Sequence, residues 1–169
     1  LIIVTNHQNT LMDPLSVLFN CGWLQPVFLA RADVFKNKLF VKILTFLKIL
    51  PVYRKHDDVE NMNAENDKIF DQCVELLQKK RSIVIFPEGN HGVLYRLRPL
   101  KKGTARIALK AESESNWELG VKILPCGVHY THCQKMGEIL TLNFGQCIEI
   151  QDYKEEFTTN QPRSYTTLT

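Results

Sequence analysis

The chain has 169 residues, 44% of them hydrophobic and 23% charged, with a formal net charge of +3. That length suits one domain with a real core, 1–169, and the composition excludes a disordered or low-complexity chain. So mild a positive balance does not by itself mark a nucleic-acid binder, and no apolar run reaches the roughly 18 residues that a membrane span needs.

The five cysteines (Cys21, Cys73, Cys126, Cys133 and Cys147) are odd in number and form no C-x-x-C pair. They read as reduced, mostly buried thiols of a cytosol-facing protein. The chain opens inside an apolar run, without a methionine or a signal peptide. It is therefore expected to be a piece of a longer protein.

Residues 1–5 are β-branched and apolar and predict a strand. The stretch NHQNTLMD (6–13) follows, then Pro14. Two readings of it stand side by side. Asp13 is a natural N-cap and Pro14 suits the first helical position, so the stretch can be a polar connection into a helix. Alternatively, a turn brings His7 and Asp13 together. A carboxylate that accepts from one imidazole nitrogen fixes the tautomer and leaves the other nitrogen to take a proton from a hydroxyl.

A second strand is predicted at 27–30 and a second helix from Asp33 to about Leu47. At about 100° per residue, Phe35, Leu39, Phe40, Ile43, Leu44, Phe46 and Leu47 share one half of that helix and Asn37, Lys38, Lys42, Thr45 and Lys48 the other. This pattern fits first a surface helix packed on a sheet; a helix lying in a membrane interface, near 34–49, is the second reading. A strand at 50–53 leads into Arg54-Lys55, and a third helix is predicted over 60–80.

After a strand at 82–86 comes FPEGNHG (86–92). Loops at strand ends are where α/β folds build sites, and glycines permit close backbone approach to a ligand. Arg96, Arg98, Lys101 and Lys102 then form a cationic run, suited to phosphate oxygens or to a solvated surface. A fourth helix over about 104–111 and strands at 121–128 and 138–144 complete the pattern. His129, His132 and Cys133 match no zinc spacing. From 151 to 169 the chain turns polar, and a loosely held tail is expected. Strands alternating with helices argue for an α/β fold, a mixed, largely parallel central sheet with helices on both faces.

Taken in order, four pieces resemble the PlsC-type glycerolipid acyltransferase superfamily: NH with a following Asp (His7, Asp13), LPVYR (50–54), FPEG (86–89) leading into KKGTARIA (101–108), and ILPCGVHY (123–130). Five residues separate His7 from Asp13, where four are commonest. The longer spacer is similar to the branch holding fungal-type glycerol-3-phosphate and dihydroxyacetone-phosphate acyltransferases. His91 stands where many relatives carry an arginine, so Arg96 or Arg98 would take over that phosphate contact.

The resemblance implies transfer of a fatty acyl group from acyl-CoA or acyl-carrier protein to a hydroxyl of glycerol-3-phosphate, dihydroxyacetone phosphate or lysophosphatidate. His7 would be the general base oriented by Asp13. Arg54, Arg96, Arg98 and Lys101 would hold the phosphate, while Glu88, Gly89, Asn9 and His91 position the glycerol and acyl parts. No cofactor or metal is implied, and the expected location is the cytoplasmic face of a membrane. Two rivals stay open: an acyl-thioester hydrolase, and a catalytically inactive lipid- or membrane-binding domain. The basic residues are not interleaved with aromatics as in a nucleic-acid module.

Overall fold

The structure is a computed structural model that describes residues 1–31, 49–52, 62–89, 96–132, 135 and 137–169. The predicted helix at 33–47, Arg54 and His91 lie outside the described residues.

The strands are β1 (Ile2–Thr5), β2 (Val27–Arg31), β3 (Ile49–Val52), β4 (Ile83–Ile85), β5 (Lys122–Tyr130), β6 (Leu140–Phe144) and β7 (Ile148–Glu149). The helices are α1 (Met12–Asn20), α2 (Met62–Gln78), α3 (Gly103–Glu114), α4 (Lys154–Thr159) and α5 (Gln161–Thr167). One sheet runs in the order β3-β2-β4-β1-β5-β6, with β7 also paired to β5. The pairs β3/β2, β2/β4, β4/β1 and β1/β5 are parallel, and only β6 and β7 run antiparallel, both against β5.

Side-chain alternation divides the core between the two faces of the sheet. Ile2, Val27, Ile83 and Ile123 pack on one face with Ile69, Cys73 and Leu77 of α2 and Ile107, Ala108 and Ala111 of α3. Their sequence neighbours Ile3, Phe28 and Val84 pack on the other face with Val17 of α1. Helices therefore cover both faces, as the alternation of strand and helix implied.

The C-terminal segment differs from the expected tail. Residues 151–169 carry α4 and α5, with Ser164 fully buried. Tyr153, Phe157, Tyr165 and Leu168 pack against the core beyond α3. Phe157 meets Trp117 and Tyr165 edge-on, with ring centroids 5.6 and 6.1 Å apart. The sparse apolar residues of a polar segment thus fall on one side, which composition alone did not reveal.

Topology also selects where a ligand would sit. From β1 the chain passes through α1 on one face to reach β2, beyond β4. From β4 it passes through α3 on the opposite face to reach β5, beyond β1. Adjacent parallel strands whose connections leave in opposite directions open a crevice at their carboxyl ends. The residues that follow β1 and β4 are those of the NHQNTLMD and FPEG stretches.

Candidate active site

The turn after β1 brings His7 and Asp13 together: His7 Nδ1 lies 2.9 Å from Asp13 Oδ2. Asp13 has no exposed surface, and the His7 side chain is 16% exposed. Oδ2 also accepts the Gln8 and Asn9 backbone N–H groups, at 2.7 and 2.8 Å. Oδ1 accepts the Tyr130 hydroxyl at 2.5 Å. A carboxylate engaged with these donors is an acceptor, so the hydrogen it shares with the ring is carried on Nδ1. The lone pair is then on Nε2.

Asp13 is not the helix cap that its position suggested. α1 begins at Met12, and Asp13 sits within its first turn with its carboxylate turned back to the preceding loop. Asn9 does the capping, its Oδ1 accepting the N–H groups of Leu11 and Met12 at 3.1 and 3.0 Å. The Asn9 amide expected near substrate is thus engaged in starting α1.

Asn6 continues the β1/β5 ladder by means of its side chain. The register pairs Thr5 with Cys126, and the Asn6 amide then donates to the Val128 carbonyl at 2.9 Å and accepts the Val128 N–H at 2.6 Å. A side-chain amide offers the same donor and acceptor as a peptide group, so strand pairing runs up to the residue before His7.

The FPEG loop forms the second wall. The Phe86 ring lies 4.3 Å from the His7 ring, tilted by 30°. Glu88 is 7% exposed, and its carboxylate accepts the His7 backbone N–H. Burial pushes the Glu88 carboxyl above the usual range, opposed by that hydrogen bond and by the Arg98 charge. Gly89 has a φ of +63°, and a Cβ there would come within 2.8 Å of Lys101 Nζ. The positive φ calls for glycine, while the lysine tip could move aside.

The cationic run folds back onto this loop, because the Lys101 N–H donates to the Pro87 carbonyl at 2.9 Å. Arg98 and Lys101 are thereby brought to Glu88 and Gly89. Arg96 is exposed. Among the described residues no His, Cys, Asp and Glu cluster could hold a metal. His129 and His132 are exposed, and His132 pairs with Glu138 at 3.5 Å.

Two contributors escaped the sequence reading, Asn6 as a strand clamp and Tyr130 as a partner of Asp13. Tyr130 lies two residues past Val128 on the buried side of β5, and only the pairing of β5 with β1 puts it beside the dyad.

Raised titration of Glu88 has a sign. The ionised form costs the folded state something that the neutral acid does not. That cost is present at neutral and alkaline pH and is lost as pH falls through the raised value. Glu88→Gln is therefore expected to resist urea at least as well as the parent at pH 8. Its advantage should shrink on acidification, as read from unfolding midpoints across pH.

These features define an α/β domain with a carboxylate-oriented histidine at the carboxyl ends of parallel strands, beside a cationic loop. Comparison with known proteins gives the family: residues 1–129 match the Acyltransferase family model, and the chain belongs to that family. Yeast (Saccharomyces cerevisiae) glycerol-3-phosphate O-acyltransferase 2 is 31% identical over 99 residues, 59% of this chain and 13% of the yeast protein. A 1-acyl-sn-glycerol-3-phosphate acyltransferase of Streptococcus pneumoniae is 28% identical over 160 residues, 91% of this chain and 52% of that protein. The chain thus spans from about an eighth to about half the length of these relatives. The crystal structure of the 1-acyl-sn-glycerophosphate acyltransferase PlsC from Thermotoga maritima shares the fold, with a TM-score of 0.59 at 19% identity over 99% of this chain and 65% of that one.

Proposed function

We propose that the protein transfers a fatty acyl group from a thioester, acyl-CoA or acyl-carrier protein, to a hydroxyl of glycerol-3-phosphate or lysophosphatidate in phospholipid synthesis. The observation that carries this reading is the 2.9 Å His7–Asp13 pair beside the loop that holds Arg98 and Lys101. Nε2 takes the hydroxyl proton as the oxygen attacks the thioester carbonyl. The tetrahedral intermediate then collapses, its C–S bond breaks, and the leaving thiolate takes the proton from the imidazolium. General-base help of this kind is worth on the order of 10²–10⁴-fold.

Transfer is direct between the bound substrates, with the protein supplying proximity. Two buried thiols fit this. Burial pushes Cys73 up to about 12 and raises Cys126 as well, which leaves both protonated and poor nucleophiles at neutral pH. Arg54, with Arg98, Lys101 or Arg96, holds the acceptor phosphate. Glu88, Gly89 and His91 shape the loop around the glycerol.

A lipid surface suits the outer side of α1. Leu11, just before α1, and Met12 and Phe19, on it, are 65%, 46% and 77% exposed. The membrane-associated, cytoplasmic-face location expected from the sequence belongs to this proposal. Among the described residues no helix is long and apolar enough to cross a membrane.

The test pairs each acceptor with acyl-CoA and with acyl-carrier protein and follows ester formation. Acyl release at an equal rate without acceptor would establish a hydrolase instead. Arg54→Ala is expected to raise KM for the phosphorylated acceptor roughly tenfold with little change in kcat, because a charge contact present throughout the reaction acts on binding. Steady-state kinetics with varied acceptor check this, and an unchanged KM would place the phosphate elsewhere.

A further inference from the structure

We propose that Tyr130 is a positioning residue of the acyl transfer, acting on His7 through Asp13; the role rests on the acyl-transfer reading above. Tyr130 is 6% exposed, and its hydroxyl donates to Asp13 Oδ1 at 2.5 Å across 117 residues of chain. That is the length of a charge-assisted O–H···O⁻ bond.

The two carboxylate oxygens are chemically equivalent until their partners distinguish them. Oδ2 faces the ring and two backbone N–H groups of the turn. These turn donors all hold Oδ2. The Tyr130 hydroxyl holds Oδ1 from the far side, and Oδ2 stays aimed at Nδ1. Tyr130 is itself held, because the Asn6 amide grips the Val128 backbone two residues earlier on the same face of β5. The asparagine beside the catalytic histidine thus fixes the strand that fixes the acid. With Oδ2 steady, the Nδ1–H tautomer is favoured and Nε2 keeps its lone pair for the substrate hydroxyl.

The test is Tyr130→Phe in the full chain, read in two independent ways. Kinetics with acyl-CoA and a glycerol phosphate acceptor should show kcat lowered about ten- to 150-fold, the loss expected for one hydrogen bond to a charged group, with both KM values within about twofold. Nitrogen-15 NMR of the His7 ring, assigned by its loss in His7→Ala, should show the Nδ1–H form of the parent giving way to a tautomer mixture. An unchanged tautomer pattern overturns the proposal whether or not kcat falls, since a purely structural tyrosine would leave the ring alone. A rise in KM with kcat intact overturns it too. If the parent transfers no acyl group but the tautomer still shifts, the positioning role stands and the acyl-transfer reading falls.

Discussion

His7→Ala is expected to lower acyl transfer by about 10²–10⁴-fold while the protein stays folded. The fold tolerates the change because the buried carboxylate loses only one of its partners. Asp13 Oδ2 keeps the Gln8 and Asn9 N–H groups and Oδ1 keeps Tyr130. The His7 backbone N–H that reaches Glu88 is also retained. Besides that hydrogen bond the fold loses the ring contact with Phe86 at 4.3 Å, a matter of about 1 kcal/mol. Activity at saturating substrate, set beside the circular dichroism spectrum and the unfolding midpoint, separates the two effects. Full activity in the variant would remove the base assignment altogether.

Asp13 gives the second large effect, and here the replacement chosen decides what is measured. Asp13→Ala strips the partner from Tyr130, Gln8, Asn9 and His7 at a site with no exposed surface. At about 1–3 kcal/mol for each buried polar group left unmade, the sum is a large share of the 5–15 kcal/mol that holds a domain of this size together. That variant is expected to be poorly folded as well as inactive.

Asp13→Asn avoids this. Its oxygen can stay in the Oδ2 position for three donors, and its amide N–H can donate to the Tyr130 oxygen. The fold and the tautomer survive, but the negative charge that stabilises the imidazolium is gone. The expected result is a near-parental unfolding midpoint with acyl transfer lowered by on the order of 10²–10⁴-fold. Activity within a few-fold of the parent would mean that the carboxylate orients the ring without an electrostatic part in the reaction.

Much of the fold was legible because period and composition act locally. β1, β2 and β4 lie within a residue or so of their predicted bounds, since short β-branched runs between turn residues have few alternatives. α2 was visible in the spacing of Ile69, Phe70, Val74, Leu76 and Leu77; Ile69, Val74 and Leu77 are buried, and Phe70 and Leu76 pack against the core. Less was legible where tertiary contacts decide. α3 runs on to Glu114, past the expected end, with Ala111 and Glu112 buried and the Glu112 carboxylate accepting the Val121 N–H, a contact nine residues away that no local pattern announces. β5 continues to Tyr130 because β6 pairs with it, Tyr130 against Leu140. β7, two residues long, has no periodicity to read.

The site divides in the same way. His7 and Asp13 are six apart in sequence, so a single turn can join them and spacing announces them. Glu88 was expected to meet substrate hydroxyls, and its carboxylate also ties the FPEG loop to the His7 backbone. Tyr130 belongs to the site only through strand order, a property that no window of sequence contains. Asn6 is adjacent to His7, but its task depends on which strand lies beside it.

That dependence on β5 has a temporal side. The acid of the dyad receives one of its bonds from a residue 117 positions further along the chain, on a strand that cannot dock before it has been made. A nascent polypeptide that has emerged through the FPEG loop already carries both members of the pair, yet lacks the bond that holds the acid in place. If Tyr130 positions the dyad, competence is acquired only once β5 has been made, and a product cut short before Tyr130 would keep its histidine and aspartate without that bond.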